Sequence, residues 1–569
     1  MPDVDAMGGL NATLFIGVQA LDAAQGALDA TSNNIANVNT PGYTQEVAEL
    51  SENPLTESGN DVTGGGVTLD ALQSIQDQLI DLQIQQQTSL QSSASTESAG
   101  LQQVQTFFTS TGTDIASALT AFSSSLAALS ASPTSSGTQQ GVLASGQNLA
   151  NAFNTTANGL TSAQSSANSL VTESVSQINT LTQQIAQLNG QVAQLTASGQ
   201  NDGAAEDQLN QSVQQLAGLT GVSIAQGSDG ETITTGNGIP LVMGDQSFSL
   251  QTTTGSDGFQ QVVDSNGNDI TSSIQGGQLG GALQLRDQTI PSMLSQLNSL
   301  ANQFASSFNA AQAQGIDSNG NQGQNFFTVP ANPADAASGI SVSITNPSSI
   351  AISSDGSTNS NSNVATLSAV LTSALPSNSV TSTAGSTSAP LATTTQLTNG
   401  SVTSVTDAAT GQTFSFTAGP SSTIADLKTA ISSAVADGTL SAGTTLSINA
   451  NGHAVISSTA AGDTLQVSTN DAVLGQFNST SGQTPTDAYA SLVFDVGNAA
   501  SNASTQSTAV GQNLLQLTNQ QGSVSGVNID DETANLIRFQ TAYEAGARIV
   551  STIQQLDTDT MDMGSAQSY

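Results

Sequence analysis

Two apolar seams, one at each end of the chain, constrain its fold more than any other feature. The N-terminal seam repeats at alternating steps of four and three residues, over Met7, Asn11, Leu14, Val18, Leu21, Gln25, Leu28, Ser32 and Ile35. The C-terminal seam runs over Leu536, Phe539, Tyr543, Gly546, Val550 and Ile553, and continues through Leu556, Thr560 and Met563. Such spacing predicts a helix that buries one stripe against a partner helix. We therefore expect the two ends to pair as a coiled coil, with the rest of the chain inserted into that pair.

The composition favours thin modules over one large core. The chain has 569 residues, which is room for about three to four domains. Apolar residues make up 36% and aromatic residues 4%, and both values are low for a globular protein. Long helices and small β modules are therefore expected.

The charge balance restricts the possible partners. There are 42 acidic residues against four basic ones, Arg286, Lys428, Arg538 and Arg548, and the formal net charge is −38. Nucleic acid and anionic membranes would be repelled by such a surface. High salt or an acidic medium would weaken the repulsion between copies, because salt screens charge and protons neutralise carboxylates. A saline or acidic habitat is our hypothesis for this acidity.

Few residues are suited to catalysis or to binding a metal. There is no cysteine and one histidine, His453, which follows Asn451-Gly452 in an expected hairpin turn. Zinc sites, disulfides and thiolate chemistry are therefore excluded. No glycine-rich phosphate loop with its lysine occurs. Paired carboxylates stay open, although the run Asp530-Asp531-Glu532 is better explained as the capped start of a helix. We expect no catalytic residue, cofactor or metal.

Targeting signals are also missing from the sequence. A secretory signal needs a basic first region, and the first basic residue is Arg286. No run of about 18 apolar residues occurs, so no membrane span is expected. We expect a chain that stays in the cytosol or is exported without a cleavable signal peptide.

The N-terminal helix is expected to end in a corner rich in asparagine. The corner residues, in the stretch SNNIANVNTPGY, are Asn33, Asn34, Asn37, Asn39, Thr40, Pro41, Gly42 and Tyr43. Asparagine tolerates turn conformations and Pro-Gly makes a turn. The stretch closely resembles the N-terminal motif of bacterial flagellar axial proteins, which form the rod, the hook and the hook-associated layers. Residues 526–557, GVNIDDETANLIRFQTAYEAGARIVSTIQQLD, resemble their C-terminal motif, most of all in the hook-associated protein 1 family.

Two internal blocks carry the same resemblance. The first includes INTLTQQIAQLN at 178–189, and the second begins with GGQLGGALQLRD at 276–287. One departure is that the family usually has an Asp-Gln-Arg-Asp element where this chain reads Asp207-Gln208-Leu209-Asn210. The usual arginine is missing, which puts a polar clasp built on it in doubt. Arg286 and Asp287 stand where the family has a similar pair, and we expect them to close a helical bundle.

The chain between the termini alternates helical and β character. A long helix is predicted after Gly66, with Leu72, Ile75, Leu79 and Leu82 on one face. Residues 222–275 consist of short strands between turns. Residues 340–480 contain a Ser/Thr-rich, low-complexity stretch from about 353 to 403, followed by short strands and a capped helix at 422–431. The strands and helix of this second segment resemble the small module inserted in flagellins and filament-cap proteins. Loops at Asp264 and Asp317 could suggest calcium, but their glycine spacing fits a hairpin turn better.

These observations predict an α+β fold with paired terminal coiled-coil helices, an elongated helical-bundle middle domain and inserted small β-rich domains. The expected domains are a terminal coiled coil (1–55 with 522–569), a helical bundle (56–221 with 279–339 and 484–521), a small β insertion (222–278) and an outer β-rich domain (340–483).

The resemblance implies a structural role in the bacterial flagellum. It implies a ring-like layer of copies between hook and filament, contacts to the hook protein and to a second hook-associated junction protein, and an export chaperone on the C-terminal helix. Export would use the flagellar type III apparatus. Arg538 and Arg548 could pair with Asp22 or Asp29, or could be solvated. The alternatives are another axial protein of the hook or distal rod, and a non-flagellar surface adhesin.

Overall fold

The structure is a computed structural model that describes most of the chain. The described residues are 4–54, 56–58, 61–63, 65–109, 114–198, 203–227, 230–357, 360–373, 375, 379–382, 390–407, 412–449, 452–458, 465–475, 477–479 and 483–566. Met1, Asp3 and the C-terminal Tyr569 therefore lie outside the described part, and so does the predicted turn residue Asn451.

Long helices dominate this part of the chain. The helices are α1 (Val4–Asn37), α2 (Gln78–Phe108), α3 (Ile115–Ala131), α4 (Ser136–Ala197), α5 (Gly203–Leu219), α6 (Gly277–Gln284), α7 (Ile290–Ala313), α8 (Ala336–Gly339), α9 (Ser362–Thr372), α10 (Ile424–Ala436), α11 (Pro485–Ser525) and α12 (Ile529–Ala566). A π-helical turn, Leu285–Thr289, links α6 to α7. The predicted α+β class, with long terminal helices and small separate sheets, is confirmed.

The strands are short and form small sheets. They are β1 (Glu46–Glu52), β2 (Thr56–Ser58), β3 (Asp61–Thr63), β4 (Val67–Ser74), β5 (Val222–Gly227), β6 (Gly230–Thr235), β7 (Pro240–Met243), β8 (Gln246–Ser247), β9 (Gln251–Thr254), β10 (Gln260–Val263), β11 (Ile316–Asp317), β12 (Phe327–Thr328), β13 (Ser341–Val342), β14 (Ala351–Ser353), β15 (Ser379–Ser382), β16 (Val402–Asp407), β17 (Gln412–Thr417), β18 (Thr445–Ile448), β19 (Ala454–Ser457), β20 (Leu465–Thr469) and β21 (Phe477–Ser479).

The chain folds as two compact units, and their boundaries fall inside helices. Unit 1 comprises Met1–Ser93, Thr172–Gly280 and Ser507–Tyr569, and unit 2 comprises Ala94–Val171 and Gly281–Gln506. Both chain ends therefore belong to unit 1, together with the small sheet β5-β6-β7-β8. The four-domain division stays a prediction.

Unit 1 is built on the two terminal helices and a hairpin. Helix α1 packs against α12 on one side and against the antiparallel pair β1-β4 on another. The sheet β5-β6-β7-β8 is attached to α4 by Asn189, whose side-chain amide donates to the carbonyl oxygens of Glu231 and Gly244. Asn179, also on α4, bonds both backbone groups of Leu250. Its side-chain amide donates to the carbonyl of Leu250, and its side-chain oxygen accepts the N–H of Leu250.

Unit 2 contains two separate apolar cores. The first core joins α3 and α7 to parts of α2, α4, α9 and α11, and five phenylalanine rings lie at its centre. The second core lies under α10, between the sheets β18-β19-β15-β21 and β17-β16-β20. Helix α10 starts with a capping box, in which Thr423 and Asp426 bond each other's backbone.

One predicted helix starts later than expected. Leu72 belongs to strand β4, and α2 begins at Gln78. Leu72 is paired with Ala48 in the β1-β4 register, so the helical spacing that Leu72 and Ile75 share with α2 is overridden by the pairing of β4 with β1.

Candidate functional site

The paired termini come closest where each helix has a glycine. A Cβ atom at Gly17 of α1 would lie 3.0 Å from Cγ2 of Val550, and one at Gly546 of α12 would lie 3.3 Å from Cδ2 of Leu21. Since the contact moves forward on α1 and backward on α12, the helices are antiparallel. The side chains of Leu21 and Val550 thus fill space that a larger residue on the facing helix would need.

The predicted seam is brought together but only partly covered. Among its members, Ile553 is 6% exposed, whereas Val18 is 49% and Tyr543 is 39% exposed. Seven other members are half-buried, namely Leu14, Leu21, Leu28, Ile35, Leu536, Phe539 and Val550, whereas Gln25, Ser32 and Leu556 are exposed. The side chains of Met7, Asn11, Thr560 and Met563 lie outside the described part of the chain. One helix pair therefore leaves part of each seam uncovered, and the role of these residues in assembly remains a proposal.

The most buried face of α1 is made of small residues that lie outside the predicted seam. These residues are Ala23, Ala24, Ala27 and Ala30. A Cβ atom at Gly26 would collide with Cδ2 of Leu69 on β4, so the hairpin approaches α1 closely. The signal was visible in the sequence as the alanine- and glycine-rich run AAQGALDA, because small residues allow a close approach of backbones.

Asn34 organises the predicted corner. Its side-chain Nδ2 donates to the carbonyl of Glu46 (2.8 Å), and its Oδ1 accepts the backbone N–H of Glu46 (2.9 Å) and the hydroxyl of Tyr43 (2.9 Å). Asn34 is 1% exposed. The end of α1 and the start of β1 are thereby fixed to each other by one side chain.

The other corner residues form the turn itself. The side chain of Asn37 donates to the carbonyl of Asn33, and the hydroxyl of Thr40 donates to the side-chain oxygen of Asn37. Both donor–acceptor distances are 3.1 Å. Gly42 has a φ of 81°, a conformation that favours glycine. Asn39 and Pro41 are exposed, so not every residue of the motif contributes equally to the corner.

Asp207, in the element that lacks the usual arginine, makes polar contacts of its own with the corner. Asp207 of α5 accepts the backbone N–H of Thr44 at 2.9 Å and its hydroxyl at 2.5 Å. The side chain of Gln45 donates to Glu532 of α12 (2.6 Å). The backbone N–H of Gln45 donates to the carbonyl of Ser525 at the end of α11. The corner therefore ties together α1, α5, α11 and α12.

Several carboxylates lie near the corner, and they affect the pKa values of its side chains. Burial raises the pKa of Asp207, and the bonds from Thr44 offset part of that rise. Burial, followed by the charges of Glu46, Asp207 and Glu532, raises the pKa of Tyr43. The hydroxyl of Tyr43 therefore stays protonated at physiological pH and can donate to Asn34.

Replacing Asn34 by alanine is expected to loosen the corner. The substitution removes the partners that Asn34 supplies to the N–H and C=O of Glu46, and it should cost about 2–3 kcal/mol. Hydrogen exchange of residues 30–52 would measure the free energy of opening. The matched control is Asn39→Ala in the same motif, which should change that free energy by less than about 0.5 kcal/mol because Asn39 is exposed. Equal effects of the two variants would contradict this role for Asn34.

The remaining candidate residues have structural roles. Asp264 accepts the N–H groups of Asn266 and Asn268 within its own turn, and Asp317 does the same for Asn319 and Asn321. In the described part of the chain, no three His, Cys, Asp or Glu side chains are grouped as metal ligands. None of its helices combines the length and apolar character that a bilayer crossing needs.

Arg286 is bound within unit 2. Its Nε and Nη2 donate to the two carboxylate oxygens of Asp287 (2.6 and 2.9 Å), and its Nη1 donates to Asn168 (2.9 Å). Gln164 donates to its carbonyl. The bonds to Asn168 and from Gln164 thus hold the π-helical turn against α4, and the two bonds to Asp287 lie within the turn.

Comparison with known proteins agrees with this geometry. Residues 101–327 match the family model described as the helical domain of flagellar hook-associated protein FlgK. Residues 14–44 match that of the flagella basal body rod protein, and residues 520–563 match the C-terminal model of the flagellar basal body rod FlgEFG proteins. Flagellar hook-associated protein 1 of Escherichia coli K12 is 29% identical over 562 residues, which cover 94% of this chain and 96% of the relative. The chain is thus similar to flagellar hook-associated protein 1 along almost its whole length.

Other relatives extend the match. Flagellar hook-associated protein 1 of Salmonella typhimurium is 28% identical over 95% of this chain and 97% of its own length, and that of Bacillus subtilis is 26% identical over 63% and 80%. The solved flagellar hook junction protein FlgK of Burkholderia pseudomallei has the same fold, with a TM-score of 0.51, 22% identity and coverage of 78% of this chain and 100% of its own. A helical domain of the hook-associated type between two rod-type ends makes this chain a structural component of the flagellum, as its terminal motifs predicted. The corner lies within the N-terminal rod-type match, and most of α12 lies within the C-terminal one.

Proposed function

We propose that copies of this chain form the layer that joins hook to filament, and that they assemble by packing the α1–α12 pair of one copy against neighbouring axial subunits. The proposal rests on the partly covered seam. Val18, Tyr543 and the nearby Phe15 are 49%, 39% and 62% exposed. Burying such side chains contributes about 25 cal/mol per Å² of apolar surface, and a neighbouring helix pair can supply that cover.

The remaining partners follow from the family. We propose that the layer contacts the hook protein on one side and a second hook-associated junction protein on the other. A cytosolic chaperone would cover α12 before export, because this helix presents apolar side chains such as Ile537 and Ile549, which are 59% and 47% exposed. Export through the flagellar type III apparatus, without a cleavable signal peptide, completes the proposal. The chain would act by assembly rather than by catalysis.

A gene deletion tests the proposed position. In a strain that lacks the gene, electron microscopy should show hooks without filaments, and filaments should return when the full chain is supplied. A hook or distal-rod protein would instead leave no finished hooks, and an adhesin would leave flagella unchanged. Normal filaments in the deletion strain would therefore overturn the proposal.

A further inference from the structure

Helix α1 presents one exposed face that is both apolar and acidic. Phe15, Val18, Asp22 and Asp29 are spaced so that they share one side of the helix. Phe15 and Val18 are 62% and 49% exposed, and both aspartates are exposed. Between residues 6 and 37 these aspartates are the charged residues of the sequence. This surface, which we call the acidic face, consists of these four residues.

Helix α12 presents an exposed face of the opposite charge. Arg538, Arg548 and Ile549 lie on one side of it, and all three are exposed. From residue 533 to 556 the sequence has these two arginines against one glutamate, Glu544. This surface, the basic face, is unusual in a chain with a net charge of −38.

The arginines of the basic face are not engaged by carboxylates of their own copy. Within the described part of the chain, neither Arg538 nor Arg548 has a carboxylate oxygen within 4 Å, and Asp22 and Asp29 pair with no described base. Arg538 lies over the ring of its neighbour Phe539, 4.7 Å from the centroid. The structure therefore does not show the predicted pairing of these arginines with Asp22 or Asp29 inside one chain. Both arginines are exposed, as the solvated alternative predicted.

We propose that the basic face of one copy docks on the acidic face of the next copy. The inference rests on the proposed function and specifies its partner and contact. Two different faces of the same chain meet, so the contact is head-to-tail and generates a ring or a helix rather than a closed dimer. Copies that each carry 38 negative charges repel one another, and the basic face is a place on unit 1 where a second copy is attracted.

The spacing of the charges allows this contact. Asp22 and Asp29 lie about 10 Å apart along α1, and Arg538 and Arg548 lie about 15 Å apart along α12. Flexible arginine side chains can bridge the difference. Exposed ion pairs contribute little affinity, so the charges select the partner and its register, while Phe15, Val18 and Ile549 supply apolar contact.

Charge reversal in trans tests the docking. The acid-reversed chain carries Asp22→Arg and Asp29→Arg, and the base-reversed chain carries Arg538→Asp and Arg548→Asp. Each is expressed in the deletion strain, alone or together, and the chain recovered with purified hooks is measured by immunoblot. Like charges would then meet in every contact of either variant alone, so its recovery should fall about tenfold or more. Co-expression should restore at least about half of the wild-type recovery, because both contacts between the two variants join opposite charges.

Two controls make the result specific. The control pair Glu173→Arg and Asp245→Arg changes the net charge by the same amount as the acid-reversed chain, at exposed positions elsewhere in unit 1, and its recovery should equal that of the wild type. A single chain with all four reversals should also assemble with itself, which shows that the reversed residues are compatible with folding. The amounts of both variants exported to the medium verify that each reaches the flagellum.

Three results would overturn the docking. Wild-type recovery of either reversed chain alone would show that the charges do not matter. Rescue in the fourfold variant without rescue by co-expression would show that the charges pair inside one copy. In both cases a wild-type chain found on hooks leaves the proposed function intact. Absence of the wild-type chain from hooks would overturn the proposed function and the docking together.

Discussion

Deletion of residues 530–569 is expected to abolish incorporation into the flagellum and to leave unit 2 folded. The deletion removes almost all of α12, so α1 loses the helix that covers Gly17 and Leu21, and the corner loses the bond from Gln45 to Glu532. The two cores of unit 2 contain no residue beyond Ala503. The incorporated chain would be measured by immunoblot of purified hooks, and the folding of unit 2 by hydrogen exchange of residues 115–171.

A smaller change at the same place gives the matched comparison. Val550→Asp puts a charge opposite Gly17 in the full-length chain and should lower incorporation strongly, because a carboxylate packed against Gly17 loses part of its hydration. Ser551→Asp adds the same charge at the next, exposed position and should have little effect. Normal incorporation of the truncated chain would refute assembly through the termini, whatever the two point variants do.

The periodic parts of the fold were predictable from the sequence. The N-terminal helix that was expected to end at the asparagine-rich corner is α1, which ends at Asn37. The apolar residues Ile115, Leu119, Phe122, Leu126 and Leu129 recur at helical spacing, and they lie on α3, which ends at Ala131 before Pro133. A helix reveals itself in this way because its buried stripe recurs within a few residues of the same segment. The pairing of the two ends was predictable for the same reason, since each stripe needed a cover.

Features that depend on distant partners were not predictable. Leu72 carried helical spacing, yet its strand pairs with β1. Asp207 belongs to an element that lacks the family's usual arginine, yet it bonds Thr44, which lies 163 positions earlier. Helix α9 lies in a stretch that looked like low-complexity sequence, and it is ordered by burial of Val364 and Leu367 in the first core of unit 2. Such partners are fixed by tertiary packing, which local patterns do not encode.

The same limit applies to the candidate site. The sequence identified Asn34 as one of eight corner residues, but it could not separate the buried Asn34 from the exposed Asn39, because both are asparagines in one turn. Similarly, Val18 and Ile553 both belong to the predicted seams, yet one is 49% and the other 6% exposed. The spacing predicts which side chains point toward a partner, and the lengths and neighbours of the helices decide how far each is covered.

Replacement of Phe308 by alanine is expected to lower the free energy of unfolding of unit 2 by about 3–5 kcal/mol. Phe308 is 0% exposed, and its ring centroid lies 5.1 Å from that of Phe326, 5.2 Å from that of Phe122 and 5.5 Å from that of Phe327. Alanine would leave a cavity among rings from three segments of the chain that cannot all close in. Urea unfolding of the full-length chain, followed by hydrogen exchange of residues 290–313, would measure the loss.

The chain supplies a close control for this cluster. Phe494 belongs to the same unit, on α11, but is 69% exposed, so Phe494→Ala should change the free energy of unfolding by less than about 0.5 kcal/mol. Phe308→Leu, which keeps most of the volume, should fall between the two. A chain with 4% aromatic residues has placed five of its phenylalanines in one cluster, so a loss below about 1 kcal/mol for Phe308→Ala would mean that alanine-rich helix contacts, rather than the rings, hold unit 2 together.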